Sequence, residues 1–120
     1  TEQWNLLNKE NGSQLVTGVT IVRSDFLKEN EEAVKLFIED HKASAAYTSE
    51  HLDEAAEMVA ALGIVEKAPI AKKAMPACNI VCITGEEMKS ALSGYLSVLE
   101  AADAKSVGGQ LPADDFYYLP

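Results

Sequence analysis

The sequence predicts a helix-rich α/β fold with few strands. Apolar residues recur at helical spacing after Asn30, within residues 49–62 and after Thr84. Two shorter runs, 15–23 and 79–83, are rich in β-branched residues and favour strands instead. Because a stable sheet usually needs three or more strands, these two strands are expected to belong to a larger structure.

The first predicted strand, LVTGVTIVR at 15–23, is the strongest strand signal in the chain. It follows a helical turn in which Trp4 is expected to pack inward, and a polar loop that contains Gly12. Gly18, in the middle of the strand, indicates either a β-bulge or the close approach of another group to the backbone.

Three helices are predicted between the two strands. Asn30 is placed as the N-cap of the first, whose first turn is acidic and therefore favourable at the positive end of the helix dipole. The second covers residues 49–62 and ends at Gly63. Pro69 suits the first turn of a short third helix, which Pro76 ends.

The second strand, NIVCI at 79–83, leads into the clearest amphipathic helix. Thr84 and Glu87 have the spacing of a capping box, which predicts the helix start. The apolar face of this helix is expected in the core and consists of Met88, Leu92, Tyr95, Leu96 and Leu99.

The C-terminal segment GGQLPADDFYYLP, residues 108–120, is unlike a disordered tail because it contains three adjacent aromatic residues. We call residues 108–120 the strap, since they are expected to lie as an ordered segment against the body of the domain. Phe116 and one of the two tyrosines that follow are expected to be buried, whereas Asp114 is expected to stay in water.

Composition excludes several classes of partner. The chain has 120 residues, which suits one domain, 1–120, and its net charge of −9 argues against a nucleic acid or an anionic membrane surface as partner. No stretch approaches the roughly 20 apolar residues of a membrane-spanning helix, so no direct membrane insertion is expected.

The sequence also lacks the patterns of catalysis and of metal binding. It has no Gly-rich phosphate loop, no HExxH, no CxxC and no Gly-x-Ser-x-Gly elbow, so no enzymatic activity and no cofactor are predicted. Cys78 and Cys82 are interpreted as small buried hydrophobic residues. His41 and His51 lack the spacing of metal ligands, so no metal site is expected.

The order of these segments resembles the C-terminal portion of ABC-transporter solute-binding proteins of the type II periplasmic-binding-protein fold. The resemblance is to the branch of sulfonate, nitrate and thiamine-precursor binders, in a Firmicutes-type subgroup. It rests first on a hydrophobic strand, an Arg-x-Asp-Phe stretch and a helix, with matching residues Ile21, Val22, Arg23, Asp25, Phe26, Glu32, Ala33, Val34, Lys35, Phe37 and Ser44. DEAAEMVAALGI, KAMPACNIVCITGEEMKSALSGYLSVL and VGGQLPADDFYY extend it over most of the chain.

This resemblance implies a two-lobed protein of which residues 1–120 are a C-terminal fragment. Such a protein captures a small-molecule ligand between its lobes and presents it to an ABC permease outside the cytoplasmic membrane, at the cell surface or in the periplasm. Its lipid anchor would lie outside this chain. The strap would cross the first lobe as an extended segment.

Candidate ligand-binding residues lie next to the two predicted strands. Thr17 and Gly18 are placed near the cleft, where a glycine lets a ligand approach the backbone. Met75, Pro76 and Asn79 form a second candidate edge, because a loop before a strand often carries ligand contacts. A simple bulge at Gly18 and a helix stop at Pro76 remain the alternative interpretations.

Two other functions remain open from the sequence. One is an enzyme on the same fold, similar to a thiamine-pyrimidine synthase, although the His- and Cys-bearing active site that it requires is not evident here. The other is a stand-alone effector-sensing or protein-interaction domain.

Overall fold

The computed structural model describes residues 2–10 and 13–120, so the predicted loop residue Gly12 lies outside the described residues. Six α-helices occur there: α1 (Glu2–Leu7), α2 (Ser24–Glu29), α3 (Glu31–Glu50), α4 (Leu52–Ala61), α5 (Ala68–Ala74) and α6 (Gly85–Ala102). Three short 3-10 helices accompany them: Met75–Cys78, Ala104–Val107 and Asp114–Phe116. The helix-rich character predicted from the sequence is confirmed.

Both strand predictions are wrong, since the described ranges contain no strand. Residues 15–22 and 80–84 have no regular secondary structure, and Asn79 lies in a turn. The physical reason is that β-propensity expresses how well a side chain fits a pleated, half-buried sheet, and a strand forms only where another strand pairs with its backbone. The described residues supply no such partner.

The chain divides into two compact units. Unit 1 consists of the chain up to Val22 together with Ile83–Pro120, and unit 2 is Arg23–Cys82. The chain therefore passes from one unit to the other twice, once beside α2 and once within residues 80–84, which have no regular secondary structure.

In unit 2, α3 and α4 are separated by a single non-helical residue. His51 has φ −124° and ψ 50°, outside the helical region, so the helix pattern breaks there rather than at the predicted start near Ser49. Pro69 lies in the first turn of α5 as expected. As expected, α5 ends before Pro76, at Ala74, and Pro76 lies in the first turn of the 3-10 helix that follows.

Asn30 has a different role from the predicted one. It precedes α3 but makes no side-chain cap hydrogen bond to it. Instead its Nδ2 donates to the Phe26 carbonyl at 3.1 Å, and its backbone N–H donates to the same oxygen at 2.9 Å. Asn30 thus completes the C-terminus of α2, whose last carbonyl groups would otherwise lack partners.

The core of unit 2 is built from small side chains. Ala55 and Ala56 of α4 pack against Ala71 of α5, with Met75 beside them, and all four are buried. Small residues at this contact allow the two helix backbones to lie close together, and the flexible methionine side chain fills the remaining space.

Unit 1 is organised around α6. The Trp4 ring lies 5.1 Å from the Tyr95 ring, centroid to centroid, and Trp4 Nε1 donates to Ser13 Oγ at 3.3 Å. Ser13 is buried. The inward packing predicted for Trp4 therefore has a defined partner. Leu96 and Leu99 are only half-buried, and no residue of α6 is fully buried.

The strap follows two glycines in the left-handed region, Gly108 at φ 80° and Gly109 at φ 98°, a conformation that favours glycine. Tyr117 is buried, which confirms that one of the two tyrosines is buried. The predicted burial of Phe116 is wrong, because this residue is 58% exposed. The 3-10 turn at Asp114–Phe116 directs consecutive side chains in different directions, so only one of these two aromatic rings enters the core.

Candidate functional site

Thr17 and Gly18 lie in the extended segment of unit 1, and both are exposed. A Cβ atom added to Gly18 would meet no heavy atom within 4 Å. No described part of the protein therefore lies close to the Gly18 backbone, and the space beside it is open.

Met75, Pro76 and Asn79 lie at the end of α5 in unit 2, but they differ in environment. The Met75 side chain is buried in the alanine core, where it packs rather than faces solvent. Pro76 and Asn79 are exposed. Asn79 has φ 50° and ψ 52°, in the left-handed region that asparagine tolerates better than most residues. This turn aims the Asn79 amide outward, where it can contact a solute.

A polar pocket lies at the junction of α3 and α4. It has a volume of about 370 Å³ and is lined by residues 49–54 and by Lys72 of α5. Lys72 Nζ lies 2.5 Å from Asp53 Oδ1, which ties α5 to the first turn of α4. The break at His51 creates the pocket, because it turns the chain and leaves polar side chains on both sides of the junction.

His51 and Glu54, which line the polar pocket, both contact Tyr47 of α3. The Tyr47 and His51 rings stack with centroids 4.4 Å apart and an angle of 21° between planes. The Tyr47 hydroxyl donates a hydrogen bond to Glu54. This bond raises the pKa of Tyr47 above its ordinary value, and the desolvation of the phenol and the negative charge of Glu54 act in the same direction.

The chemistry available in the polar pocket is hydrogen bonding. The carboxylates of Asp53 and Glu54 already have partners, and Ser49 Oγ donates to the Ala46 carbonyl at 2.9 Å rather than to His51. Among the residues described, no group of three or more His, Cys, Asp or Glu side chains could hold a metal ion. The pocket mixes positive and negative groups, which suits a polar solute better than a single type of ion.

Sequence reasoning did not find this pocket, although a signal was present. Tyr47, His51 and Glu54 are spaced four and three residues apart, which places side chains on one face of a continuous helix. From the sequence, His51 was considered only as a possible metal ligand, and its position at a helix break was not predicted.

A second pocket of about 450 Å³ lies along α5 and is mainly apolar. It is lined by Pro69, Ile70, Lys73 and Ala74. Lys73 makes no ion pair with any residue that the structure describes, in contrast to Lys72.

The cysteines differ from expectation. Cys78 is exposed and Cys82 is half-buried, so the prediction that both are buried is wrong. Cys78 is the last residue of the 3-10 helix that follows α5, and its Sγ lies 3.4 Å from the Ala74 carbonyl oxygen.

Comparison with known proteins found no matching family model, no matching curated protein and no matching solved structure.

Proposed function

We propose that this chain is the C-terminal part of the solute-binding component of an ABC importer. The whole protein would capture a small molecule between two lobes outside the cytoplasmic membrane and present it to the permease, with no catalytic step. The observation that carries the proposal is the ordered series of motifs from Ile21 to Ser44, followed by the closing segments up to the strap.

An ion pair and a hydrogen bond within the Arg-x-Asp-Phe stretch support the proposal. Arg23 forms an ion pair with Asp25, and Asp25 Oδ1 accepts a hydrogen bond from the Phe26 backbone N–H at 2.9 Å. The Arg23 guanidinium, and then the Phe26 N–H, hold the pKa of Asp25 below its usual value. These bonds fix the start of α2, directly after the extended segment that carries Thr17 and Gly18.

The connectivity also supports the proposal. The passage between the two compact units after Val22 falls within residues 15–23, the segment that the resemblance implies crosses between lobes. In proteins that close around a ligand, a few residues in such connections absorb the change in backbone angles. Among the described residues, no helix is long and apolar enough to cross a membrane.

The proposed ligand contacts on this chain are Thr17, Gly18, Pro76 and Asn79. Met75 supports Pro76 and Asn79 from the core. Hydroxyl and amide groups of this kind orient a polar solute without adding charge. Much of the specificity would come from residues of the other lobe.

The proposal is tested by thermal-shift titration of the complete polypeptide with sulfonates, pyrimidines and riboflavin-like compounds. A solute bound at 100 times its Kd should stabilise the folded protein by about 2.7 kcal/mol. Failure of every compound in these classes to shift the midpoint would contradict the binder, and turnover of any of them would favour the enzyme.

Two substitutions locate the site. Asn79→Gly keeps the left-handed backbone and removes the amide, and Thr17→Val keeps the β-branched shape and removes the hydroxyl. Each should weaken solute binding about 10-fold or more, as expected when a polar contact of about 1.4 kcal/mol is lost. Thr20→Val, in the same exposed segment, is the matched control and should bind normally. Equal affinity in all three variants would remove these residues from the site.

A further inference from the structure

The apolar pocket along α5 lies on the side of the helix that does not enter the core of unit 2. Ala71 and Met75 are buried in the alanine core. The pocket is lined by four exposed residues: Pro69, Ile70, Lys73 and Ala74. They form two pairs spaced four residues apart, so they share one face of the helix. This face is therefore available to a ligand without any change in the core.

The pocket combines an apolar surface with one cation that has no internal partner. Ile70 is 50% exposed, although its side chain is fully aliphatic. Lys73 forms no ion pair with a described residue, whereas its neighbour Lys72 is bound to Asp53. No acidic side chain lines the pocket in the part of the chain that the structure describes. A ligand can therefore pair with Lys73 without breaking an existing ion pair.

The surroundings of the pocket favour an anion, although the chain as a whole is acidic. Residues 67–85 contain three lysines and neither Asp nor Glu, in a chain of net charge −9. Of the six α-helices in the described ranges, only α5 has no acidic residue. An anion that approaches α5 thus avoids the carboxylates that would repel it from the other helices.

We propose that the apolar pocket binds a small carboxylic acid with an apolar body. The hydrocarbon part covers Pro69, Ile70 and Ala74, and the carboxylate pairs with the Lys73 ammonium group. The pocket volume of about 450 Å³ lies within the range of small-molecule sites, about 300 to 1,000 Å³. One ammonium group matches one negative charge. An anionic membrane surface fits less well, because it would repel a chain of charge −9.

Nuclear magnetic resonance titration of the complete polypeptide with octanoate tests this inference. The backbone amide signals of residues 69–74 should shift, and those of Thr17 and Gly18 should not. Octanamide has the same tail without the charge and should bind about 5-fold more weakly, which corresponds to about 1 kcal/mol for an exposed ion pair. From butanoate to octanoate, each added CH₂ should strengthen binding by up to about 4-fold, because more apolar surface is covered.

Three substitutions locate the charge and the apolar contact. Lys73→Gln should weaken octanoate binding about 5-fold and leave octanamide binding unchanged. Lys42→Gln removes the same charge from an exposed position of α3 and is the matched control, which should bind both compounds normally. Ile70→Ser should weaken both compounds about 10-fold, since it removes aliphatic surface from the pocket.

Several results would overturn the inference. These are unchanged signals of residues 69–74 in octanoate, equal affinity for octanoate and octanamide, and equal effects of Lys73→Gln and Lys42→Gln. Shifts of residues 69–74 that appear only with vesicles of anionic phospholipid would identify a membrane surface instead. This site is separate from the solute contacts proposed at Thr17 and Asn79. Solute binding without an octanoate response would contradict the α5 site alone, and an octanoate response without solute binding would contradict the proposed function alone.

Discussion

Lys89 of α6 holds Asp114 of the strap, with Lys89 Nζ 2.9 Å from Asp114 Oδ1. The same ammonium group lies 5.9 Å from the centroid of the Tyr117 ring. One lysine thus contacts both a carboxylate and the buried aromatic residue of the C-terminal segment. Asp114 stays in water as expected, since its side chain is 90% exposed, and its carboxylate has a cation partner there.

The Lys89–Asp114 contact predicts a pH dependence. The hydrogen bond and charge of Lys89 lower the pKa of Asp114 from 3.8. The folded state therefore binds this proton less readily than the unfolded state. The resulting stability is present above pH 3.8 and is lost as the pH falls through the lower folded pKa. Asp114→Asn should remove this part of the acid dependence, measured as urea midpoints between pH 2 and pH 6.

Asp115→Asn is the matched control, since Asp115 lies next to Asp114 but has no ion pair with a described residue. It should leave the acid dependence of the wild-type protein unchanged. If Asp114→Asn and the wild-type protein lose stability in parallel below pH 4, the contact does not contribute to folding.

Burial of the aromatic residues predicts unequal contributions to stability. Tyr117 is 8% exposed, whereas Phe116, whose ring contacts that of Tyr117 edge-on at 5.2 Å, is 58% exposed. Tyr117→Ala should lower the free energy of unfolding by about 3 kcal/mol, as expected when a large buried side chain is removed. Phe116→Ala should cost about 1 kcal/mol or less. Urea denaturation distinguishes the two, and equal losses would show that the strap packs differently.

The helices could be predicted from sequence because their signals are local. The acidic first turn after Asn30, the proline at the start of α5 and the start of α6 after Thr84 each correspond to a helix boundary. Side-chain roles at these boundaries were less predictable. Asn30 bonds backward to α2, and Thr84 makes no side-chain cap hydrogen bond, because several backbone groups compete for each polar side chain.

The strands and the site could not be predicted equally well because they depend on groups distant in sequence. Residues 15–22 have strand composition, but whether they pair depends on a partner strand. Met75 was chosen as a ligand contact from its place before a predicted strand, yet its side chain is buried by Ala55, Ala56 and Ala71. The polar pocket at His51 depends on a break between two helices that no Gly or Pro marks.

The alanine core of unit 2 predicts sensitivity to added volume. Ala56 is 1% exposed and lies in the core with Ala71, so Ala56→Leu should force the two helices apart and destabilise the protein by about 1 to 3 kcal/mol. Ala46→Leu adds the same atoms at an exposed position of α3 and should have almost no effect. Chemical denaturation of both variants measures the difference, and similar midpoints would show that α4 and α5 are not closely packed at Ala56.

Titration of Tyr47 tests the structure of the polar pocket. The hydrogen bond to Glu54 raises the pKa of Tyr47 above 10.0, so its phenolate should appear at higher pH than that of a free tyrosine. Glu54→Gln removes the negative charge and should move the transition back toward 10.0. Glu57→Gln, on an exposed position of the same helix, should not move it. Ultraviolet difference spectra against Tyr47→Phe isolate the signal of this one residue.

Because the folded pKa of Tyr47 is raised, the stability from its hydrogen bond to Glu54 is present below pH 10 and is lost as the pH rises through the folded value. A Tyr47 transition that is the same in the Glu54→Gln and wild-type proteins would show that the hydroxyl is not bound to Glu54.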